Sequence, residues 1–303
     1  MVTAIQREMS VSRHPVALTL ERQVGGATRL LATVMALPLV DGIFPALVIA
    51  GALTYPFGII ETGLLIFGGS ATVAVILAEM DGTPREQALA IAALGAVLIP
   101  AAALEAALAP TIQSALAMAI FQRFAGLVIV AVAAKTASAR VGEYLPRPAL
   151  IIVLGLVASY QPGAVELVFV TDTLLVVKGA AAAGVGVGFA LLVALLGPRL
   201  RGSVDLDRFR FGSSVALGML ALSVLQLMPT EAPVALGVLC VTAVFSYDPD
   251  GDASLAGDRV SGGDDGDGDE SLGDEPERED SEYDDATDDG YGYLGDDERA
   301  PWL

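Results

Sequence analysis

Pro45-Ala-Leu-Val-Ile…Thr54-Tyr-Pro-Phe-Gly-Ile-Ile-Glu61 has a near-copy further along the chain, Pro148-Ala-Leu-Ile-Ile…Ser159-Tyr-Gln-Pro-Gly-Ala-Val-Glu166. Both stretches begin Pro-Ala-Leu, with Pro45 or Pro148 at the head. Both then place a Tyr (Tyr55, Tyr160), a Gly three residues later (Gly58, Gly163) and a Glu three residues after that. The Pro-to-Tyr spacing is ten residues in the first copy and twelve in the second, so the second carries a two-residue insertion. Upstream, Val40-Asp41-Gly42 and Val141-Gly142-Glu143 put an acid near the same place twice. Each copy is an apolar helix that a Pro/Gly/Tyr segment interrupts. The pair therefore predicts a duplicated membrane unit with hinges at Pro38, Gly42, Pro45, Tyr55, Gly58, Pro148, Tyr160 and Gly163.

Working outward, 54% of the 303 residues are hydrophobic, too many for one soluble domain of this length. The formal charge of −19 is local: residues 248–303 hold three basic and 22 acidic residues, while residues 1–247 hold 14 of each. No basic surface exists for nucleic acid, and the acidic tail would repel it. His14 is the only histidine and Cys240 the only cysteine, so disulfide frameworks and His/Cys metal sites within one chain are excluded. No cofactor is expected.

Only Lys135 and Lys178 among the 17 basic residues are lysines, and the tail favours aspartate. In this usage and in its apolar body over residues 10–250 the chain resembles the uncharacterised multi-span membrane families of haloarchaea. The resemblance implies a polytopic membrane protein with a carboxylate-rich, salt-tolerant tail, and it implies no activity.

The sequence predicts an all-α bundle of about eight membrane spans, with seven also open. About 20 apolar residues cross a hydrocarbon core. Leu30 to Leu53 supplies the first span, broken near Asp41. Ile59–Ala78, Ala88–Ala109 (bent at Pro100) and Ile112–Ala134 follow. Residues 148–197 hold two spans, divided either at Thr171-Asp172-Thr173 or at Tyr160-Gln-Pro-Gly163, and Ser213–Met228 and Val234–Phe245 close the bundle. Domains follow as a basic lead-in (1–29) able to lie on the membrane as a helix, a first repeat (30–134), a linker (135–147), a second repeat (148–247) and a disordered acidic tail (248–303). Lys and Arg fall in the lead-in and in the loops after spans two, four and six, while the alternate turns have none. That pattern places both termini in the cytoplasm and makes the two repeats parallel. No signal peptide is evident at the N-terminus, and Met9 is an alternative start to Met1.

An ionisable group facing lipid costs about 2.5–3.5 kcal/mol at a helix centre, so the intramembrane charges should face partners or water. Asp41 sits at a Pro-flanked break, where its carboxylate and freed carbonyls could hold a cation, or else it lies at the surface. Arg123, near the middle of span four, needs a carboxylate, with Asp41, Glu61, Glu105, Glu166 and Asp172 as candidates, or else contacts a substrate anion or gating partner, or reaches the interface if the span is shifted. Glu61 and Glu166 could converge across the repeat axis, or cap helices. Asp172 falls in a turn with Lys178 reaching the interface. Gly184-x-x-x-Gly188 reads as a helix-packing face.

These features favour a secondary transporter or permease for a small solute or ion, with the lipid bilayer as its setting. A non-catalytic scaffold or sensor using the acidic tail is the alternative. An enzyme is not expected: only an Asp41/Asp172 carboxylate pair could do the chemistry, and neither lies in a Gly-x-Gly-Asp context.

Overall fold

The computed structural model describes residues 26–54, 56–162, 173–228 and 232–249, and among them every regular element is a helix. In chain order these are α1 (Gly26–Val40), α2 (Ile43–Ile49), α3 (Phe57–Thr62) running into a π-helical turn (Gly63–Phe67), and α4 (Ser70–Ala74) running into a second one (Val75–Glu79). Then come α5 (Pro84–Ser114), α6 (Met118–Ala137), α7 (Ala139–Tyr144), α8 (Pro148–Ser159), α9 (Thr173–Leu200), α10 (Leu206–Val224) and α11 (Val234–Phe245). Among the described residues four stretches are long and apolar enough to cross a membrane: Gly26–Ile49, Pro84–Ser114, Met118–Ala137 and Thr173–Leu200. The pair Phe57–Phe67 and Ser70–Glu79, bent by 52°, makes a fifth if counted as one span. α8 and α11 are apolar but have 12 residues each, about 18 Å of helix at 1.5 Å per residue.

The breaks follow from residue chemistry. After α1 the chain turns at Asp41-Gly42, where Gly42 adopts φ +76°, a conformation open to glycine at little cost. Pro38 and Pro45, inside α1 and α2, each remove a backbone donor on one side of that turn. Gly68-Gly69 breaks the following span, and there Thr72 Oγ1 donates to the Phe67 carbonyl (2.8 Å), satisfying an acceptor that the bend releases. α5 starts with a capping box: Thr83 Oγ1 accepts from the Glu86 amide and the Glu86 carboxylate accepts from the Thr83 amide.

Two expected boundaries move. α5 continues through Pro100 and Pro110 to Ser114, so the turn expected at 110–111 lies at 115–117, and α6 begins at Met118 instead of Ile112. α8 ends at Ser159, so the helix breaks at Tyr160; residues 163–172, with Gly163 and the other expected turn at Thr171-Asp172, lie outside the described residues. So do Tyr55, most of the basic lead-in (1–25) and the tail from 250 onward.

Side-chain and backbone bonds gather the loops at two ends. At one end Arg201 donates to the carbonyls of Leu77 (3.1 Å), Ile76 and Met80, Gln87 donates to Met80 (2.8 Å), and Arg210 donates to Thr136 (2.9 Å). The Asp205 amide meets the Ser246 carbonyl there (2.8 Å). At the other end Gln113 and Gln122 donate to the Ile49 and Ala50 carbonyls, and Leu116 bridges to Tyr160. Arg85, Lys135, Arg140, Arg147 and the Arg199–Arg210 loop all belong to the first, basic end. Both Pro-Ala-Leu helices, α2 and α8, finish at the opposite end against the α5–α6 turn.

α9 is packed by its small residues. Gly179 lies on Ala102 and Ala106 of α5, and Gly186 lies on Gly63 and Phe67 of the bent span. Seven residues, about two turns, separate them, which puts both on one face of α9. The expected Gly184/Gly188 pair is on a different face and has nothing within 4 Å of a built Cβ, so it does not form the packing seam.

A candidate polar cleft at the basic end

The two broken spans turn their breaks toward one another. Between Asp41 of the first and Gly69-Ser70 of the second lies a cleft of about 590 Å³, closed on its other sides by the end of α6, the start of α8 and the second turn of α10. Leu37, Leu65 and Ile66 give it an apolar wall. The polar wall carries Asp41, Lys135 and Arg147.

These three charges are arranged without being paired. Lys135 and Arg147 are the cations whose fields reach the Asp41 carboxylate. Among the described residues the only ion pairs within 4.0 Å are those of Arg208 with Asp205 and Asp248, so neither cation closes on Asp41. Ser213 adds a hydroxyl to the same wall: it is 1% exposed, and its Oγ has no hydrogen-bond partner. A buried hydroxyl left unbonded costs about 1–3 kcal/mol, a cost that a ligand or water in the cleft would remove.

The other predicted residues scatter. Glu61 is 7% exposed at the opposite end, and its Oε1 accepts from the Leu236 amide (3.0 Å), with the Ala235 amide as a second donor. A carboxylate from α3 thus caps the α11 N-terminus, satisfying amides that have no acceptor within their own helix. Glu105 lies on α5 beside Ala106 with one carboxylate oxygen buried and unbonded, and it does not line the cleft. Arg123, expected mid-span, is exposed in the second turn of α6, because that helix starts six residues later than its apolar run suggests. No carboxylate lies within 4.0 Å of it among the described residues. Lys178 is half-buried in the second turn of α9. Glu166 and Asp172 lie outside the described residues, as would any Glu61/Glu166 or Asp41/Asp172 pair.

Lys135, Arg147, Ser70 and Ser213 were not legible as site residues. Lys135 and Arg147 read as linker charges, and Ser213 as the start of a span. The available signal was Gly68-Gly69-Ser70 inside an apolar run, a second break to set against Asp41-Gly42. A larger hollow of about 950 Å³ between α10 and α11 is walled mainly by exposed apolar groups such as Phe211, Val241 and Phe245, and offers little to orient a polar ligand. No cluster of three metal-binding side chains occurs among the described residues.

The family described as one of unknown function, DUF5794, matches residues 98–225. The matched stretch runs from the middle of α5 past the end of α10, so it includes Lys135, Arg147 and Ser213 and leaves out Asp41 and Glu61. No curated protein matches the chain. No solved structure matches it either.

Proposed function

We propose that this chain is an integral membrane permease for a small solute, crossing the bilayer eight times with both termini on the cytoplasmic side. The observation that carries the reading is the cleft itself: two interrupted spans face each other across a cavity holding one carboxylate and two cations that do not pair. Asp41 and Lys135 are part-buried and Arg147 is exposed at the mouth of the cleft, so a solute could reach all three charges, and interrupted helices beside a polar site are what alternating access uses. The collection of Lys and Arg at the cleft's end of the bundle supports a cytoplasmic location for that end. Eight traversals require α8 and α11 to cross with about 18 Å of helix each, which a locally thinned bilayer can accommodate. The two Pro-Ala-Leu helices end side by side at the same face, in keeping with parallel repeats.

Asp41→Asn keeps the shape of the break and removes its charge. In vesicles containing the purified protein, this substitution is expected to lower solute flux at least tenfold with insertion and melting behaviour unchanged. Arg123→Ala, on the exposed turn of α6, should leave flux within about twofold. Equal flux in wild type and Asp41→Asn would contradict the assignment.

A further inference from the structure

We infer that the cleft takes a small zwitterion, a molecule bearing a carboxylate and an ammonium group on a short aliphatic body. The inference names the solute class for the permease reading and rests on that reading for its physiological sense. Its structural basis is the mixed wall: Asp41 on one side, Lys135 and Arg147 on the other, none within 4.0 Å of an opposite charge among the described residues.

Each simpler ligand fits this wall worse. An anion would satisfy Lys135 and Arg147 and neutralise the wall's net charge of +1, but it would set a second carboxylate beside Asp41 and give Asp41 no cation of its own. A cation would satisfy Asp41 but crowd two positive groups already there. Like charges brought together are unfavourable, most of all at the part-buried Asp41 and Lys135. A zwitterion meets both signs at once and leaves the cleft's net charge as it was. The unbonded Ser213 Oγ, buried in the same wall, supplies a hydrogen-bonding point for the carboxylate or the ammonium group. Leu37, Leu65 and Ile66 give the aliphatic body an apolar surface. The volume of about 590 Å³ lies in the range of small-molecule pockets, about 300–1,000 Å³.

The test is direct binding in detergent, by calorimetry, of glycine, L-leucine, γ-aminobutyrate and trimethylglycine, with two matched single-charge analogues of leucine: 4-methylpentanoate, which lacks the amine, and 3-methylbutylamine, which lacks the carboxylate. At least one zwitterion is expected to bind, and the two analogues to bind at least tenfold more weakly than L-leucine or not at all. Asp41→Asn should weaken zwitterion binding at least tenfold while leaving or improving that of 4-methylpentanoate. Lys135→Gln should weaken zwitterion binding without that improvement. Melting curves of both variants establish that they are folded. Binding by none of the four zwitterions, or binding of 4-methylpentanoate as tight as that of L-leucine, overturns the inference. Because binding is measured without a membrane, the two readings fail separately. Zwitterion binding with no flux in vesicles sinks the permease and leaves the site standing. Asp41-dependent flux of an inorganic ion with no zwitterion binding does the reverse.

Discussion

Gly186→Leu is expected to prevent stable assembly of the bundle, lowering stability by about 3 kcal/mol. At this position a Cβ would collide with the Cβ of Phe67 and come within 2.8 Å of the Gly63 carbonyl. The reciprocal surface is equally tight, since a Cβ on Gly63 would meet the Ala182 carbonyl and sit 2.8 Å from Val185 Cβ. Two backbones therefore touch at the π-helical turn of the bent span, and neither can retreat without moving α9 off α5. In the bilayer that the proposal requires, lipid would supply no hydrophobic drive between helices, and this close packing would be what holds α9 in place. Gly184→Ala and Gly188→Ala, on the open face, should leave the melting temperature unchanged or slightly raised, because alanine restricts the unfolded chain. Thermal loss of the monodisperse peak on size exclusion reads all three. A Gly186→Leu protein as stable as wild type would mean that α9 does not lie where the structure puts it.

The second large effect is at Glu61. Glu61→Ala removes the acceptor for the Leu236 and Ala235 amides at a site almost closed to water. Stranding those donors should cost about 2 kcal/mol, between the cost of a lost cap and that of a buried unsatisfied group. Glu61→Gln keeps a carbonyl oxygen in reach and loses only the charge's attraction to the helix end, so about 1 kcal/mol is expected. The ordering Ala below Gln below Glu in melting temperature is the signature of a cap. Equal losses for both variants would point to a role for the charge itself, as in a proton or ion path.

Glu61 also shows what a sequence can and cannot reveal. Its repeat position singled it out, yet its partner, the α11 N-terminus 175 residues away, is set by tertiary packing that no local pattern encodes. Elements were legible where the chain carries its own punctuation. The Asp41-Gly42 break, the start of α5 at Thr83-Pro84, and the apolar runs of α5, α6 and α9 each follow from local residue chemistry. Boundaries were misjudged where proline was taken as a terminator. Pro110 takes away one amide and crowds the Ala106 carbonyl one turn back, yet the helix continues through it for one more turn to Ser114. The Gly184-x-x-x-Gly188 spacing gave the right kind of packing on the wrong face, because α9 is rich in small residues all round and only its neighbours decide which ones are used. Asp41 was legible as a charge at a helix break, and it lines the cleft, whereas its neighbours there, Lys135 and Arg147, come from the ends of other helices. Arg123 lies on an exposed turn because the helix start is displaced by six residues, the shifted-span alternative.

The proposed permease needs a water-filled cleft between its two broken spans, open toward the basic end that the proposal places in the cytoplasm. Ala71, half-buried in the cleft wall beside Ser70, reports on it directly. With the exposed native Cys240 replaced by Ala, an Ala71→Cys thiol should react with a membrane-impermeant maleimide in inverted vesicles and not in right-side-out vesicles, since a thiol needs water to ionise and react. Labelling only by a membrane-permeant maleimide, or labelling only from the opposite side, would contradict it.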